Sequence, residues 1–343
     1  MKPVETLRNS KLKHHPMSIG EDKERAVSHA HLEARIHSIT QEAETILLFD
    51  IRPAPGQHFP GVEPGAHIDL HLSNGLSRSF SLVNSQDDRD RYVIAVKNEV
   101  SGRGGSRFIH NELRVGQRLA IGAPRNNFRL REESPHSVFI AGGIGITPLY
   151  SMIQRLEGLG RSWELHYAAA DRQQAAFVSQ LEQFRPKSRF YFKSERDGRI
   201  TLDLQQTIKT SRSGSDFYCC GPGRMLADFE AATASIPADR VHAEYFTPRE
   251  ERALDGGFEV VLHRSGQRFT IEPGETILDA VIKRGLDVPY SCMEGVCGSC
   301  QVGVIEGTPD HRDLILSKDE RSANDRMLIC CSGARSARLI LDL

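Results

Sequence analysis

Four cysteines near the end of the chain have the spacing of an iron–sulfur ligand set. Cys292, Cys297 and Cys300 form a C-x4-C-x2-C run, and Cys330 follows after 29 intervening residues, 301–329. This spacing is typical of plant-type 2Fe–2S sites, in which thiolates hold the cluster. The loop between the cysteines is rich in glycine and serine, which a backbone needs to wrap a compact cluster. The pattern predicts a 2Fe–2S cluster and therefore single-electron chemistry.

A zinc site and a Rieske centre are the alternatives for these thiols. Zinc sites usually pair two C-x2-C units, or one unit with two histidines, and here only the adjacent Cys330 and Cys331 follow the first unit. We interpret Cys331 as a packed side chain rather than a fifth ligand. A Rieske centre needs two histidine ligands, and the sequence has no C-x-H or C-x2-H pair. The apolar run Met327–Cys331 is compatible with a strand that closes the site.

Two glycine-rich turns in the middle of the chain indicate a nucleotide site. Gly142-Gly143-Ile144-Gly145 follows the apolar run Val138–Ala141 and precedes a helical pattern, with Thr147 and Pro148 placed as N-cap and first helical residue. Cys220-Gly221-Pro222-Gly223 follows a second apolar run. Glycines let the backbone approach a ligand, and helix N-termini attract phosphate. Each turn alone is a weak signal, and the spacing differs from the G-x-G-x-x-G of dinucleotide dehydrogenases, so a different nucleotide fold is expected.

Two earlier segments could contact a cofactor. In Arg78-Ser79-Phe80-Ser81 the arginine can bind phosphate, the ring can stack on a flat ring system, and a hydroxyl can bond its edge. The loop Ser101–Ser106 could bind an anion with its amides. Taken singly, each segment is better explained as an edge strand or a hairpin loop.

The surrounding elements form a multidomain pattern of β and α/β structure. Short apolar runs broken by turns predict a barrel or sandwich at the start. From Ser137 onward, buried strands alternate with helices, which predicts a parallel sheet. The predicted divisions are an N-terminal extension (1–30), a β-barrel (31–131), an α/β domain (132–248), a linker (249–257) and a cluster domain (258–343).

Composition excludes several other classes of protein. The 343 residues include 44 basic and 45 acidic side chains, so no basic excess predicts nucleic-acid binding. The sequence has no long apolar run, so neither a transmembrane helix nor a membrane partner is expected. Residues 1–30 are polar and do not read as a secretory signal. Seven cysteines, an odd and clustered set, argue against a disulfide scaffold and for the reducing cytoplasm.

Taken together, these segments resemble the phthalate dioxygenase reductase family, which includes the vanillate demethylase reductases. The resemblance covers Leu32 to Leu343, nearly the whole chain. Its segments come in the family's order: Arg78–Ser81, Tyr92–Lys97, Gly102–Ser106, Pro124–Phe128, Gly142–Pro148, Cys219–Pro222, His242–Phe246, Tyr290–Cys300 and Asp310–Asp313.

The resemblance implies a fold, a set of cofactors and a reaction. The fold would combine a flavin-binding antiparallel β-barrel, a ferredoxin-reductase-like α/β domain with a parallel sheet for NAD, and a C-terminal ferredoxin domain of the β-grasp type. NADH would give a hydride to FMN, which passes single electrons to the 2Fe–2S cluster, because a flavin can hold one or two electrons. The implied partner is a separate terminal oxygenase of the Rieske non-haem iron type, acting on an aromatic or other small organic acid.

The resemblance also assigns site residues. Catalytic roles are implied for Ser81, Thr147 and Cys220. Cofactor contacts are implied for Arg78, Ser79, Phe80, Ser81, Val96, Lys97, Gly104, Gly105, Ser106 and Arg107 around the flavin, for Gly142, Gly143, Gly145, Thr147, Cys220, Gly221 and Pro222 around the nucleotide, and for Phe246 near the flavin ring. The cluster ligands would be Cys292, Cys297, Cys300 and Cys330. Phe80 replaces the family's usual tyrosine, which keeps the ring stack and loses a hydroxyl bond.

The partner and the coenzyme have open alternatives. A haem-thiolate monooxygenase could replace the Rieske oxygenase, and a redox sensor would keep both centres but turn over slowly. Asp171 would repel the 2′-phosphate of NADPH whereas Arg172 would attract it, and we favour NADH. The chain is expected to be a monomer on its own.

Overall fold

An antiparallel barrel occupies the first part of the chain. The computed structural model describes residues 31–195 and 201–343, so the predicted extension at 1–30 lies outside the described residues. The barrel elements are β1 (Leu32–Ala43), β2 (Ile46–Pro53), β3 (His67–His71), β4 (Ser77–Ser81), β5 (Tyr92–Lys97), α1 (Gly105–Glu112) and β6 (Arg118–Ile121). The strand order is β4-β3-β6-β1-β2-β5, and a bridge between Leu82 and Ile94 joins the two edges.

A five-stranded parallel sheet forms the middle of the molecule. Its elements are β7 (Ser137–Gly142), α2 (Ile146–Gly158), β8 (Trp163–Ala169), α3 (Val178–Glu182), β9 (Ser188–Phe192), α4 (Leu204–Thr210), β10 (Asp216–Cys220), α5 (Gly223–Thr233) and β11 (Val241–Glu244). The order is β11-β10-β7-β8-β9. Alternate residues of β7 face opposite layers: Phe139 packs with Leu149 of α2, and Ile140 packs with Phe229 of α5. Burial on both faces explains the continuous apolar run in this strand.

The C-terminal part is a mixed sheet with short helices. Its elements are β12 (Glu259–Leu262), β13 (Arg268–Thr270), α6 (Ile277–Lys283), β14 (Gln301–Glu306), β15 (Pro309–Asp310), α7 (Lys318–Ala323), β16 (Arg326–Leu328), β17 (Gly333–Ala334) and β18 (Arg338–Leu341). The main sheet has the order β13-β12-β18-β14-β16, with β12 and β18 parallel. A capping box between Thr276 and Asp279 fixes the start of α6.

Local boundaries differ from the sequence expectation in three places. α2 begins at Ile146, two residues earlier than predicted, so Thr147 is not its N-cap, and the Oγ1 of Thr147 donates instead to the carbonyl of Ile144 at 3.0 Å. The strand expected over Met327–Cys331 ends at Leu328, and Cys330 lies in the turn that follows. The loop predicted over Ser101–Ser106 ends at Gly104, and α1 begins at Gly105; the glycine-rich composition did not predict this helix. Among residues 31–195 and 201–343, no helix is long and apolar enough to cross a membrane.

Candidate cofactor cleft and cluster site

A cleft of about 530 Å³ opens where the three domains meet. The barrel contributes β4 and the loop before α1, the α/β domain contributes the start of α2 and the end of β11, and the third domain contributes the cysteine loop. Small-molecule and cofactor sites usually measure about 300–1,000 Å³. A single volume therefore adjoins residues predicted for the flavin, the nucleotide and the cluster.

The end of the cleft beside α1 is suited to an anion. α1 begins at Gly105, and its N-cap Gly104 offers no side-chain hydrogen bond to the first amides. A Cβ at Gly105 would lie 2.5 Å from Nε of Arg78. Glycine at this position therefore allows the Arg78 side chain to pack directly against the first residue of the helix. Arg103 lines the same wall. Burial, followed by the nearby Arg103 charge, lowers the pKa of Arg78. An uncapped helix N-terminus beside two guanidinium groups fits the phosphate of a flavin nucleotide.

The middle of the cleft carries an aromatic ring and polar groups. Phe80 and Ser81 of β4 line it, together with Lys97 at the end of β5. Lys97 pairs with Glu99 at 3.1 Å. Ser79 also lines the cleft, and its Oγ donates a hydrogen bond of 2.6 Å to Oδ1 of a buried aspartate in β3. This wall fits a flat ring system with polar edges, which is the shape of an isoalloxazine.

Glu244, the last residue of β11, lines the cleft and was not singled out by sequence reasoning. Its Oε2 is buried and has no hydrogen-bond partner among the residues that the structure describes. Burial raises the pKa of Glu244 to about 8, so the carboxyl is protonated at neutral pH. Thr147 and Phe246 line the cleft with it. Its position in the His242–Phe246 segment was the only sequence signal.

Several predicted contacts do not belong to the lining of the cleft. Cys220 ends β10 fully buried, and burial raises the pKa of its thiol well above the usual range, so it stays protonated. Val96 is a fully buried residue of the barrel core. Arg107 is exposed on α1. Of the residues predicted as catalytic, Ser81 and Thr147 meet in the cleft, and the roles assigned to all of them stay predictions.

A second cavity of about 770 Å³ lies at the carboxyl edge of the parallel sheet. Gly142, Gly143 and Pro222 line it, so both glycine turns reach the same cavity. α2 and α5 begin beside these turns, and neither helix has a side-chain cap. Lys193 and Arg224 add positive charge to the wall. Uncapped helix starts and cations at this edge fit the pyrophosphate of a dinucleotide.

The residues weighed for coenzyme choice lie elsewhere. Asp171 Oδ1 accepts a hydrogen bond of 2.8 Å from the amide of Gln174. Arg172 pairs with Glu182 at 2.8 Å and with Glu195 at 3.2 Å. Both side chains have local partners and neither lines the cavity, and their part in the choice between NADH and NADPH stays a prediction.

The other predicted glycines of the nucleotide site, Gly145 and Gly221, work through packing. A Cβ at Gly145 would lie 2.2 Å from the carbonyl oxygen of Cys220, and a Cβ at Gly221 would lie 3.0 Å from Cα of Gly142. The two turns therefore press against each other through glycine surfaces. Close packing of the turns explains these residues without a direct contact to a nucleotide.

The four predicted cluster cysteines are buried, three of them in the loop before β14 and Cys330 in the turn after β16. Cys292, Cys297, Cys300 and Cys330 are 1–6% exposed. The four thiols lie near one another: those of Cys297 and Cys330 influence the pKa of Cys292, and that of Cys330 raises the pKa of Cys300. The amide of Glu294 points at Sγ of Cys292 at 3.3 Å. Amides aimed at ligand sulfurs are the contacts that tune an iron–sulfur centre.

The donor set fits a 2Fe–2S cluster. In the described part of the chain, no three or more His, Cys, Asp or Glu side chains are arranged to hold a single metal ion, whereas a 2Fe–2S cluster spreads its four thiolates over two irons. Gly295 has φ +73°, and a Cβ there would lie 2.5 Å from Sγ of Cys331. The loop thus needs glycine at this position to close over the site.

Family models match two parts of the chain. The 2Fe-2S iron-sulfur cluster binding domain matches residues 260–335, and the oxidoreductase NAD-binding domain matches residues 139–231. A tetrachlorobenzoquinone reductase from Sphingobium chlorophenolicum is 48% identical, covering 91% of this chain and 98% of its own length. A phenoxybenzoate dioxygenase subunit beta from Ectopseudomonas oleovorans is 48% identical, covering 93% and 99%.

Two solved structures share the arrangement of all three domains. Phthalate dioxygenase reductase, a modular structure for electron transfer from pyridine nucleotides to [2Fe-2S], aligns with a TM-score of 0.70 at 34% identity over 92% of this chain and 98% of that one. An intact type IV self-sufficient cytochrome P450 monooxygenase aligns with a TM-score of 0.82 at 37% identity over 91% of this chain. This chain spans 41% of that monooxygenase.

A cleft lined by all three domains, a second cavity at the edge of the parallel sheet and four clustered thiols define a pyridine-nucleotide-dependent iron–sulfur flavoprotein reductase. The chain belongs to the phthalate dioxygenase reductase family. It is an NADH-dependent oxidoreductase whose cofactors are FMN and a 2Fe–2S cluster. The predicted barrel, parallel-sheet NAD domain and C-terminal ferredoxin domain are thereby confirmed.

Proposed function

We propose that this chain is the reductase component that feeds a terminal oxygenase of the Rieske type. The observation that carries the proposal is the position of the cleft, because its lining includes Phe80 of the barrel, Thr147 of the NAD domain and Cys297 of the cluster loop. A flavin in this cleft would be within reach of the hydride donor on one side and of the one-electron acceptor on the other. The bound flavin supplies the conversion of one hydride into single electrons.

The protein's part in this chemistry is to bind and orient. Arg78 and the start of α1 would hold the phosphate of FMN, and Phe80 would lie along the ring system. Ser81 and Thr147 would bond the ring edge. The protonated carboxyl of Glu244 keeps a hydrogen-bond donor in the wall of the cleft. Of the remaining residues assigned by resemblance, those that line the cavities keep their proposed contacts: Ser79, Lys97, Gly105, Ser106 and Phe246 with the flavin, and Gly142, Gly143 and Pro222 with the nucleotide.

The partner is proposed from the relatives. The 48% identical relative from Ectopseudomonas oleovorans is named as a subunit of a dioxygenase, and another relative, 39% identical, is a vanillate O-demethylase oxidoreductase. These names support an oxygenase for aromatic acids. The similarity to a cytochrome P450 fusion supports a haem-thiolate partner as a second candidate. The tetrachlorobenzoquinone reductase supports a third, the direct reduction of a quinone.

Competing acceptors distinguish these three functions. Reductase reduced with NADH under anaerobic conditions would be mixed with a Rieske oxygenase, a haem-thiolate monooxygenase and tetrachlorobenzoquinone. We expect the Rieske centre to be reduced fastest. Faster reduction of the haem or the quinone, with the Rieske centre still oxidised, would overturn the proposal. A variant that lacks the cluster is the informative control, because a quinone can take electrons directly from a flavin whereas the Rieske centre should need the cluster.

Adjacent cysteines provide a matched test of the ligand set. Cys330→Ser is expected to lose the absorption and electron paramagnetic resonance signals of the cluster. Cys331→Ser is expected to keep them, because Cys331 contacts Leu328 and Ser332 rather than the other thiols. Equal loss in both variants, or loss only in Cys331→Ser, would refute the assignment.

The remaining proposals concern organisation. The matched segments 139–231 and 260–335 fall inside the proposed NAD domain (132–248) and ferredoxin domain (258–343). None of the seven cysteines, all of which lie among the described residues, forms a disulfide bond, which supports the reducing cytoplasm as the location. We propose a monomer that meets its oxygenase transiently. Sedimentation at micromolar concentration tests the monomer, and limited proteolysis within 249–257 tests the boundary.

A further inference from the structure

The segment that joins the barrel to the NAD domain contacts all three domains within four residues. We call Arg125–Phe128 the junction segment. Asn126 Nδ2 donates to the carbonyl of Pro64 in the barrel at 3.0 Å. Phe128 is 2% exposed and belongs to the core of the NAD domain. The other two residues of the segment reach the cluster loop.

Arg125 and Asn127 hold the cluster loop by direct hydrogen bonds. Arg125 Nη2 donates to Oγ of Ser299 at 2.7 Å, and to Oδ2 of Asp69 at 2.7 Å. Asn127 Nδ2 donates to the carbonyl of Cys297, a predicted ligand, at 3.0 Å. These bonds fix the position of the loop relative to the barrel.

The barrel side of this contact is rigid. The backbone of Arg125 pairs with His67 in both directions, at 2.8 and 3.0 Å. The side chain of Asp69 is 4% exposed, and it also accepts the hydrogen bond from Ser79. Leaving the buried Asp69 carboxylate without its guanidinium partner would lower the stability of the folded protein, which favours the observed position of Arg125.

A second contact holds the opposite side of the loop but belongs to the flavin cleft. Arg103 Nη2 donates to the carbonyl of Cys292 at 3.0 Å and pairs with Glu294 at 2.8 Å. Because Arg103 lines the cleft, changing it would disturb the flavin as well. Arg125 and Asn127 line neither cavity, so changing them removes no side chain from a cavity wall.

We propose that Arg125 and Asn127 are positioning residues, which hold the cluster loop against the flavin cleft and so set the rate of electron transfer from flavin to cluster. The step they serve moves one electron from reduced flavin to one ferric iron, and NADH supplies the electron pair. They take no part in hydride transfer. The inference rests on the proposed place of the flavin in the cleft.

The experiment uses the complete, cofactor-loaded protein with four variants. Arg125→Leu removes the hydrogen bonds of the guanidinium to Asp69, Ser299 and His67. Arg125→Lys keeps the positive charge but loses the planar, forked donor geometry. Asn127→Ala removes one hydrogen bond at an exposed residue. Arg129→Ala is the matched control, because Arg129 lies in the same connection, is 75% exposed and is 4.0 Å from its nearest carboxylate. Stopped-flow absorbance would separate flavin reduction from cluster reduction. Hydrogen exchange of the oxidised protein would report on the amides of 293–299.

The two steps should respond differently. We expect Arg125→Leu to slow cluster reduction by about tenfold or more, the scale of one lost hydrogen bond to a charged group. Flavin reduction by NADH should stay within about twofold of the control. Asn127→Ala and Arg125→Lys should give smaller losses in the same step, and exchange in 293–299 should accelerate in the same order.

Two results would overturn the inference. One is cluster reduction and loop exchange that match the control in every variant. The other is an equal slowing of both steps, which would indicate a general structural defect. If the control protein itself reduced its flavin but never its cluster, the proposed function would fail instead, so the two failures are distinguishable.

Discussion

Replacing Glu244 by glutamine should remove a pH-dependent loss of folding stability. Oε2 of this carboxyl is buried at the wall of the cleft and has no partner among the described residues, and burial raises the pKa of Glu244 from 4.5 to about 8. Between these values the folded state binds a proton that the unfolded state has released. The contribution of Glu244 therefore lowers the free energy of unfolding as pH rises from about 4.5 to about 8, and this loss stays constant above pH 8. Glutamine has the same shape and no titration.

The size of the effect follows from the linkage relation. Each pH unit inside the window changes the free energy of unfolding by ~1.4 kcal/mol. The gap in stability between Glu244→Gln and the parent should therefore grow by about 2 kcal/mol between pH 6 and pH 7.5. Exposed carboxylates should behave differently. Glu63→Gln, at a side chain that is 68% exposed, is the matched control and should give a gap that hardly changes with pH.

The assay is urea unfolding of the flavin-free protein at a series of pH values, paired with infrared titration of the carboxyl band. The infrared difference between parent and Glu244→Gln should show a protonated carboxyl that titrates near pH 8. A stability gap that is flat from pH 6 to 7.5, together with a carboxylate already ionised at pH 6, would refute the reasoning. It would mean that water or a polar group satisfies the buried oxygen.

Three further changes have clear expected outcomes. Gly145→Ala should lower the free energy of unfolding by ~1–3 kcal/mol in urea, because its Cβ would lie 2.2 Å from a carbonyl oxygen, whereas Gly223→Ala, which meets open space, should be neutral or slightly stabilising. Arg224→Ala should raise the KM for NADH about tenfold and leave kcat within about twofold in steady-state assays, because it removes a cation from the nucleotide cavity. Gly295→Ala should lower the iron content per chain, because its Cβ would lie 2.5 Å from a buried sulfur. Full iron content, an unchanged KM or an unchanged unfolding midpoint would contradict the respective prediction.

The predicted cluster ligands are visible in the sequence because the constraint on their spacing is local. The cysteines that wrap one side of a compact cluster must be close in the chain, so spacing alone indicates Cys292, Cys297 and Cys300 as candidate ligands. The parallel sheet was similarly visible, since a strand such as β7 is buried on both faces and reads as an unbroken apolar run. The structure places these features where the sequence indicated.

The contacts between domains could not be predicted in this way. Glu244 lies in a strand of ordinary composition, and only the fold shows that its carboxyl is buried in the cleft. Arg125 and Asp69 are 56 positions apart, and the residues around them in the sequence do not predict their ion pair. Likewise, the sequence did not show that alternation turns the side chain of Val96 into the barrel core, and its contact with the flavin stays a prediction. Side-chain direction and long-range pairing are properties of the assembled fold.

The most direct test of the account compares the loaded protein with the same protein stripped of flavin. NADH would be added without oxygen, and the cluster followed by freeze-quench electron paramagnetic resonance while the flavin is followed by absorbance. The account predicts that flavin bleaching precedes the signal of the reduced cluster, and that this signal is lost when flavin is removed and returns when FMN is added back. Reduction of the cluster by NADH at the same rate without flavin would contradict it.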